Sequence, residues 1–347
     1  MSAWFEVWQE VAEKLGGQVA FGGPTFGASM VVTVRGVQLW ATSPMSDESR
    51  SMRVTAAAPG GERLELDVHH GFVYPIGKAL GIQDIVVGDE VFDERFIVKC
   101  NDDELARAWL DDVARAAISA ASDAYAYQVL DGRCAVTRSG HAPEDDAAGL
   151  EAALEATVSL AGAGARLVGR WRAAAATLGG RLTAARGAWG IDGELILELV
   201  RPASRVLVDT SFEVIGARGP RTLWTRARSR RATGPGAADR WAVHARERRF
   251  RSSPRLPEGV LVGDAAFAER WRCLADDPVR LSQRLTPARR VLLRDLAPAA
   301  VVGEPGEVIA WLPGFVTDVA RLSRLADLVA ELAGGEVPDG AGGAPYR

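Results

Sequence analysis

The chain has 347 residues, 48% of them apolar and 25% charged, a composition that excludes a disordered, collagen-like or disulfide-stapled protein. That length is more than one hydrophobic core usually serves, so two domains of ordinary size are expected. Net charge is only −4, but residues 1–165 hold 12 basic against 25 acidic side chains and residues 166–347 hold 29 against 20, so the second half can attract either the first half or an anionic partner.

The opening MSAWFEVWQE carries acid where a secretory leader would carry base, and no run of 18 apolar residues occurs. A cytosolic protein without a membrane segment is the expectation. The first helix runs to Lys14 and ends at Gly16-Gly17, where a left-handed residue can close the terminal carbonyls. β-branched runs at 30–34, 37–41, 52–57 and 63–68, separated by turn residues, predict an antiparallel meander. Gly88-Asp89 leads toward a strand over Phe96 to Lys99, with Phe92 and Phe96 as alternating core positions of that strand. The next helix starts beside Asn101, Asp102 and Asp103, whose side chains can accept orphan N–H groups. A hairpin near Tyr127 to Val136, a polar loop at 142–148 and a helix over Leu150 to Gly162 complete the half.

The second half answers in the same order. Trp171 stands before Leu178, Gly179 and Gly180 as Trp8 stands before Leu15, Gly16 and Gly17, an offset of 163 residues. Strands follow at 195–200, 205–210, 221–227 and 240–246. Gly88–Ile118 then aligns without a gap on Gly263–Leu293 at an offset of 175, with Asp276 and Asp277 starting the helix, and a hairpin spans Ala300 to Trp311. The last helix, Leu322 to Gly334, repeats the earlier one at an offset of 172. The fold class expected is therefore α+β: two tandem repeats of an α, antiparallel meander, α, β-hairpin, α module. The first spans 1–163 and the second 164–333, with an Arg-rich insertion that takes up about 12 extra residues and a disordered tail at 334–347. Two copies of one fold often pack on each other about a pseudo-twofold axis.

The arrangement W-x6-L-G-G, then strands, then GD-x-x-F-D-x-R-F-x-V, then an acid-capped helix and hairpin, resembles a DUF3137-like family of uncharacterised bacterial proteins. Phe92, Asp93, Arg95, Phe96 and Val98 fit its strand pattern, and Leu285-Thr286-Pro287 fits its helix start. Copy one has Leu110-Asp111-Asp112 there, and Asp93 becomes Ala268 in copy two. Only three of 41 basic residues are lysine, a bias that with abundant Ala and Gly looks like a GC-rich genome and makes arginine identity weaker evidence for recognition. The resemblance implies no activity.

Catalytic motifs are hard to find. His69, His70, His141 and His244 are scattered, and neighbours His69 and His70 would face opposite sides of a strand. Cys100, Cys134 and Cys273 are odd in number with no CxxC, which suggests reduced thiols and no zinc. Gly162 to Gly169 and Gly22 to Gly27 lack the features of phosphate loops, and no GxSxG elbow exists. Asp89, Asp93, Glu94, Asp102 and Asp103 lie close enough for acid and base roles, yet Asp264, Glu269 and Asp277 at matching places in copy two favour turn and cap roles. No cofactor is expected.

One segment tempts a sharper reading. Between 218 and 255 stand twelve arginines against two acids, with Trp224, Trp241 and Phe250 interleaved. Arginine forks onto phosphate and aromatic faces stack bases, so Arg226, Arg228, Arg230, Arg231, Arg246, Arg248 and Arg249 are candidate anion-binding residues. The competing reading makes 226, 228 and 230 the solvent face of a strand. The sequence points first to a non-catalytic interaction protein with an unknown protein partner. Polyanion or nucleic-acid binding through 218–255 and an enzyme with an unrecognised site are the alternatives.

Overall fold

The computed structural model describes residues 3–21, 28–43, 51–71, 85–121, 124–139, 147–184, 195–202, 204–214, 221–231, 239–246, 256, 258–260 and 262–334. The expected tail, apart from residue 334, most of the 142–148 loop, His141, Arg248 and Arg249 lie outside these. Among the described residues the chain divides into two compact units between Gly169 and Arg170. Both are α+β, each built on an antiparallel sheet, and no helix among the described residues is long and apolar enough to cross a membrane.

The first unit begins with α1 (Ala3–Lys14), β1 (Gln18–Phe21), β2 (Ala28–Val34), β3 (Val37–Ser43), β4 (Ser51–Ala57) and β5 (Leu66–His70). It continues through α2 (Glu90–Arg95), β6 (Phe96–Cys100), α3 (Asp103–Trp109), α4 (Asp112–Ala120), β7 (Tyr125–Leu130), β8 (Arg133–Ser139) and α5 (Ala147–Ala161). Its eight strands run in the order β1-β2-β3-β4-β8-β7-β5-β6. One sheet face is covered, by α1 over β1 and β2 and by α5 over β3, β4 and β8, with α4 packed on α5. The strand residues beneath, among them Met30, Leu39, Ala41, Val54 and Val136, are almost fully buried. Alternate residues such as Val31, Trp40 and Arg53 are exposed on the other face, as a half-buried antiparallel sheet requires.

A continuous helix, α6 (Ala163–Thr177), leads into the second unit, followed by β9 (Arg181–Ala184), β10 (Leu195–Arg201), β11 (Ser204–Val214), β12 (Arg221–Arg230), β13 (Trp241–Ala245) and β14 (Glu258–Val260). Then come α7 (Ala265–Arg270), β15 (Trp271–Ala275), α8 (Pro278–Arg284), α9 (Pro287–Leu296), β16 (Ala300–Glu304), β17 (Glu307–Pro313) and α10 (Val319–Ala333). The sheet order, read from β9, is β9-β10-β11-β12-β17-β16-β13-β15-β14. Apart from the added β14 it is the order of the first sheet. Even β14 has a counterpart contact, because Ile85 N–H donates to Val98 O where Val260 stands opposite Cys273.

The likeness extends to register. Met30 opposes Ala41 as Leu197 opposes Val208, Val54 opposes Val136 as Ala227 opposes Ala310, and Val68 opposes Tyr127 as Val243 opposes Val301. The offset between such equivalents rises from 163 at Val19/Leu182 to 167 at Met30/Leu197, 173 at Val54/Ala227 and 175 at Val68/Val243. The extra length of the second half is thus spread over several connections, and part of it precedes residues 218–255.

Three local expectations need correction. The run at 63–68 is not the fourth strand of a meander: β5 starts at Leu66 and pairs with β6 and β7, while β8 takes the place beside β4. Strand order depends on which edges meet after collapse, and the alternation of a single strand does not encode it. Phe92 is not in a strand but in α2, and it meets Phe96 by helical spacing, with ring centroids 4.7 Å apart. Phe267 and Trp271 repeat this at 6.1 Å. The helix expected from Asp102 is two helices, because Asp111 and Thr286 each cap a second one after Leu110 and Leu285.

Candidate anion-binding cleft

The acidic residues near Gly88-Asp89 serve the backbone. Asp89 accepts the Phe92 N–H and Asp264 the Phe267 N–H, while Asp102 accepts the Leu105 N–H and Asp277 those of Val279 and Arg280. Asp93 takes three N–H groups, from Val87, Gly88 and Asp89. The Phe92 N–H and the Arg115 guanidinium hold the Asp89 carboxyl below its usual range. Among the described residues no group of three His, Cys, Asp or Glu side chains is placed to hold a metal. The thiols of Cys100, Cys134 and Cys273 are unpaired, and burial pushes each up to about 12.

The candidate arginines do not form one set. Arg226, Arg228 and Arg230 share one face of β12 with Trp224, while Leu223, Thr225, Ala227 and Ser229 occupy the opposite, buried face. Arg231 is 6% exposed, and its Nη1 donates to the carbonyls of Asp239 (2.5 Å) and Glu304 (3.2 Å). Burial, and then nearby Arg284, lower its pKa. Arg246 lies at the end of β13 and donates from Nε to Ala268 O, away from the other three.

Three strands supply the rest of the site. A cleft of about 690 Å³ is lined by Ser204, Arg205 and Leu207 of β11, Arg228 to Arg231 of β12 and its end, and Glu307 of β17. Arg205 lies one residue beyond the Val206–Ser229 pair, which brings it across the ladder toward Arg230, and Arg230 in turn opposes Glu307. Arg205 Nε pairs with Glu198 at 2.9 Å, and 69% of its side chain is exposed. Arg228 donates from Nη2 to Asp209 at 2.7 Å, and Arg226 forks onto the same carboxylate at 2.8 and 3.0 Å. Asp209 is 2% exposed, so its charge is shared wholly between two guanidinium groups and fixes both. Ser229 Oγ donates to Arg205 O at 3.0 Å and lies 2.9 Å from Ser204 Oγ.

Farther along the same face lies an apolar cluster of Trp224, Ala242, Leu274, Ala299, Ala300, Val302 and Trp311, with Leu256 and Ile309 against it. His244 occupies this face as well, opposite Ala300, and burial followed by Arg272 lowers its pKa to about 4. It is the positional equivalent of His69, since both follow the valine that opposes the next strand of the hairpin.

Arg205, Asp209 and Glu307 were not among the sequence candidates. Their signal is the alternation R-x-L-x-D in 205–209 against R-x-R-x-R in 226–230, which becomes visible only once the β11–β12 register is known. No family model, no curated protein and no solved structure matches the chain.

Proposed function

We propose that the chain is two divergent copies of one α+β module and works as a non-catalytic binding protein, with an anionic ligand held in the arginine cleft of the second copy. The observation that carries this reading is the internal comparison. The ladder positions of Arg205, Asp209, Arg228 and Arg230 are occupied in the first unit by Gln38, Thr42, Thr55 and Ala57, and that of Glu198 by Val31. A sheet of the same order and register therefore forms without these charges. Like charges across a ladder weaken it, and a buried ion pair often adds no net stability over apolar residues, so folding gives no reason for the cluster. The capping duties of Asp89, Asp102, Asp264 and Asp277 support binding over turnover, because carboxylates committed to backbone N–H groups are poor proton carriers.

The test is calorimetric titration of the whole protein with inorganic phosphate at low salt. Binding is expected at one site per chain. The triple change Arg205→Gln, Arg228→Thr and Arg230→Ala, which installs the first unit's residues, is expected to abolish it while moving Tm by less than about 4 °C. Phosphate binding that survives the triple change, or none in the parent protein, would overturn the reading.

A further inference from the structure

Resting on the anion-binding reading of the cleft, we infer that its ligand is a phosphate monoester of a small hydroxylated molecule, of the sugar-phosphate or mononucleotide kind, and not a nucleic acid strand. The charge of the described residues around the cleft supports this. A polynucleotide needs a continuous run of unneutralised basic side chains, since its affinity comes from many phosphate contacts and counterion release. Several of the described arginines of this segment are engaged by protein groups. Arg226 is forked onto Asp209, Arg240 pairs with Asp276 at 3.1 Å, and Arg231 is buried against carbonyls. Arg280, on α8, pairs with Asp239 at 2.9 Å and with Asp277 at 3.2 Å.

Acids also stand where a strand of phosphates would continue. Glu307 faces Arg230 across the ladder, and Glu304 opposes Glu307 on the next strand. A phosphate backbone leaving the arginines in that direction would meet two carboxylates. A single compact dianion meets a better match: Arg205, Arg228 and Arg230 present guanidinium N–H groups from two neighbouring strands, and the Arg205 and Arg228 groups are oriented by Glu198 and Asp209.

The cleft is also larger than its phosphate. At about 690 Å³ it is in the range of pockets that hold whole small molecules, and inorganic phosphate alone would leave most of it as water. Glu307 on its wall is an acceptor suited to hydroxyl or amino groups, and Leu207 adds one apolar side chain. One ligand end is thus anionic and the other donates hydrogen bonds.

Calorimetric titration of the full chain with glucose 6-phosphate, AMP, inorganic phosphate and a 20-nucleotide oligo(dT) separates the cases. At least one monoester is expected to bind about tenfold tighter than inorganic phosphate, with oligo(dT) no tighter than phosphate. Glu307→Ala is expected to bring monoester and inorganic phosphate affinities within about twofold of each other, and a tenfold gap that survives it would overturn the role given to Glu307. Monoester binding should also weaken by about tenfold from pH 7.5 to pH 5, following loss of the second phosphate charge near pH 6. Monoesters no better than phosphate, or oligo(dT) binding tightest, would overturn the ligand class while leaving an anion site in place. No binding of any probe would end both readings.

Discussion

Asp111 closes two structures with one carboxylate. Its side chain caps α4 by accepting the Ala114 N–H at 3.1 Å, and it receives a two-pronged donation from Arg166 Nε and Nη2, both at 2.8 Å. Its side chain is 3% exposed and that of Arg166 25%, so removing the acid strands a largely buried guanidinium. Asp111→Ala is expected to cost about 3 kcal/mol in urea unfolding, against about 1 kcal/mol for a cap change such as Asp264→Ala. Equal costs for the two would show that the fork contributes nothing. His244 gives a pH signature at the same scale. Its folded pKa of about 4 lies below the 6.5 of an exposed imidazole, so the unfolded chain takes up the proton first as pH falls. Stability is therefore expected to decline from pH 6.5 toward pH 4 by up to about 3 kcal/mol from this residue. Urea midpoints of a His244→Gln variant should be flatter over that window, and an unchanged slope would count against a buried, neutral imidazole.

At the scale of elements, the Gly-Gly pairs illustrate what a sequence can disclose. Gly16 and Gly179 close their helices at φ of 69° and 64°, and the N–H groups of Gly17 and Gly180 reach back to the carbonyls of Ala12 and Ala175 at 2.7 and 2.8 Å. That chemistry is local, and the sequence displays it. Gly180 has a second reason for being glycine that the sequence hides, because a Cβ there would lie 2.5 Å from Leu199 and 2.6 Å from the Glu198 carbonyl. The caps at Asp89, Asp102, Asp264 and Asp277 were legible for the same local reason. The insertion of β8 beside β4 and the Asp209 network were not, since both depend on pairings between distant segments.

Trp241 and Gly303 show the same limit. A Cβ on Gly303 would fall 2.2 Å from the Trp241 ring, so the glycine exists to accept the tryptophan, whereas the equivalent pair in the first unit is Leu66 opposite Val129. Gly303→Val alone is expected to cost about 3 kcal/mol or more through overpacking. Combining it with Trp241→Leu should recover at least half of that loss in urea unfolding. A double variant no better than the single one would mean that the two positions are not interchangeable between the sheets.

For the whole molecule, the account rests on a division of labour between two sheets of one order. Residues found at equivalent places in both units, such as Trp8 and Trp171 or Phe92 and Phe267, are buried in both, at 1% exposure or less. One difference lies on the sheet face that carries Trp40 and Arg53 in the first unit and Trp224 and Arg228 in the second, polar and charge-poor around Thr42 and Thr55, ionic around Asp209 and Arg228. The excess of base in the second half was visible from composition, but composition could not show which arginines line a cleft. The most direct measurement is the arginine Nε–H NMR spectrum of the intact protein during a titration with glucose 6-phosphate. The Arg205, Arg228 and Arg230 signals should shift together to saturation at one equivalent, while those of Arg53 and Arg133, at the places of Arg226 and Glu307 on the first unit's sheet, stay fixed. Shifts centred on Arg53 or Arg133, or spread evenly over both units, would contradict the assignment of binding to the second unit alone.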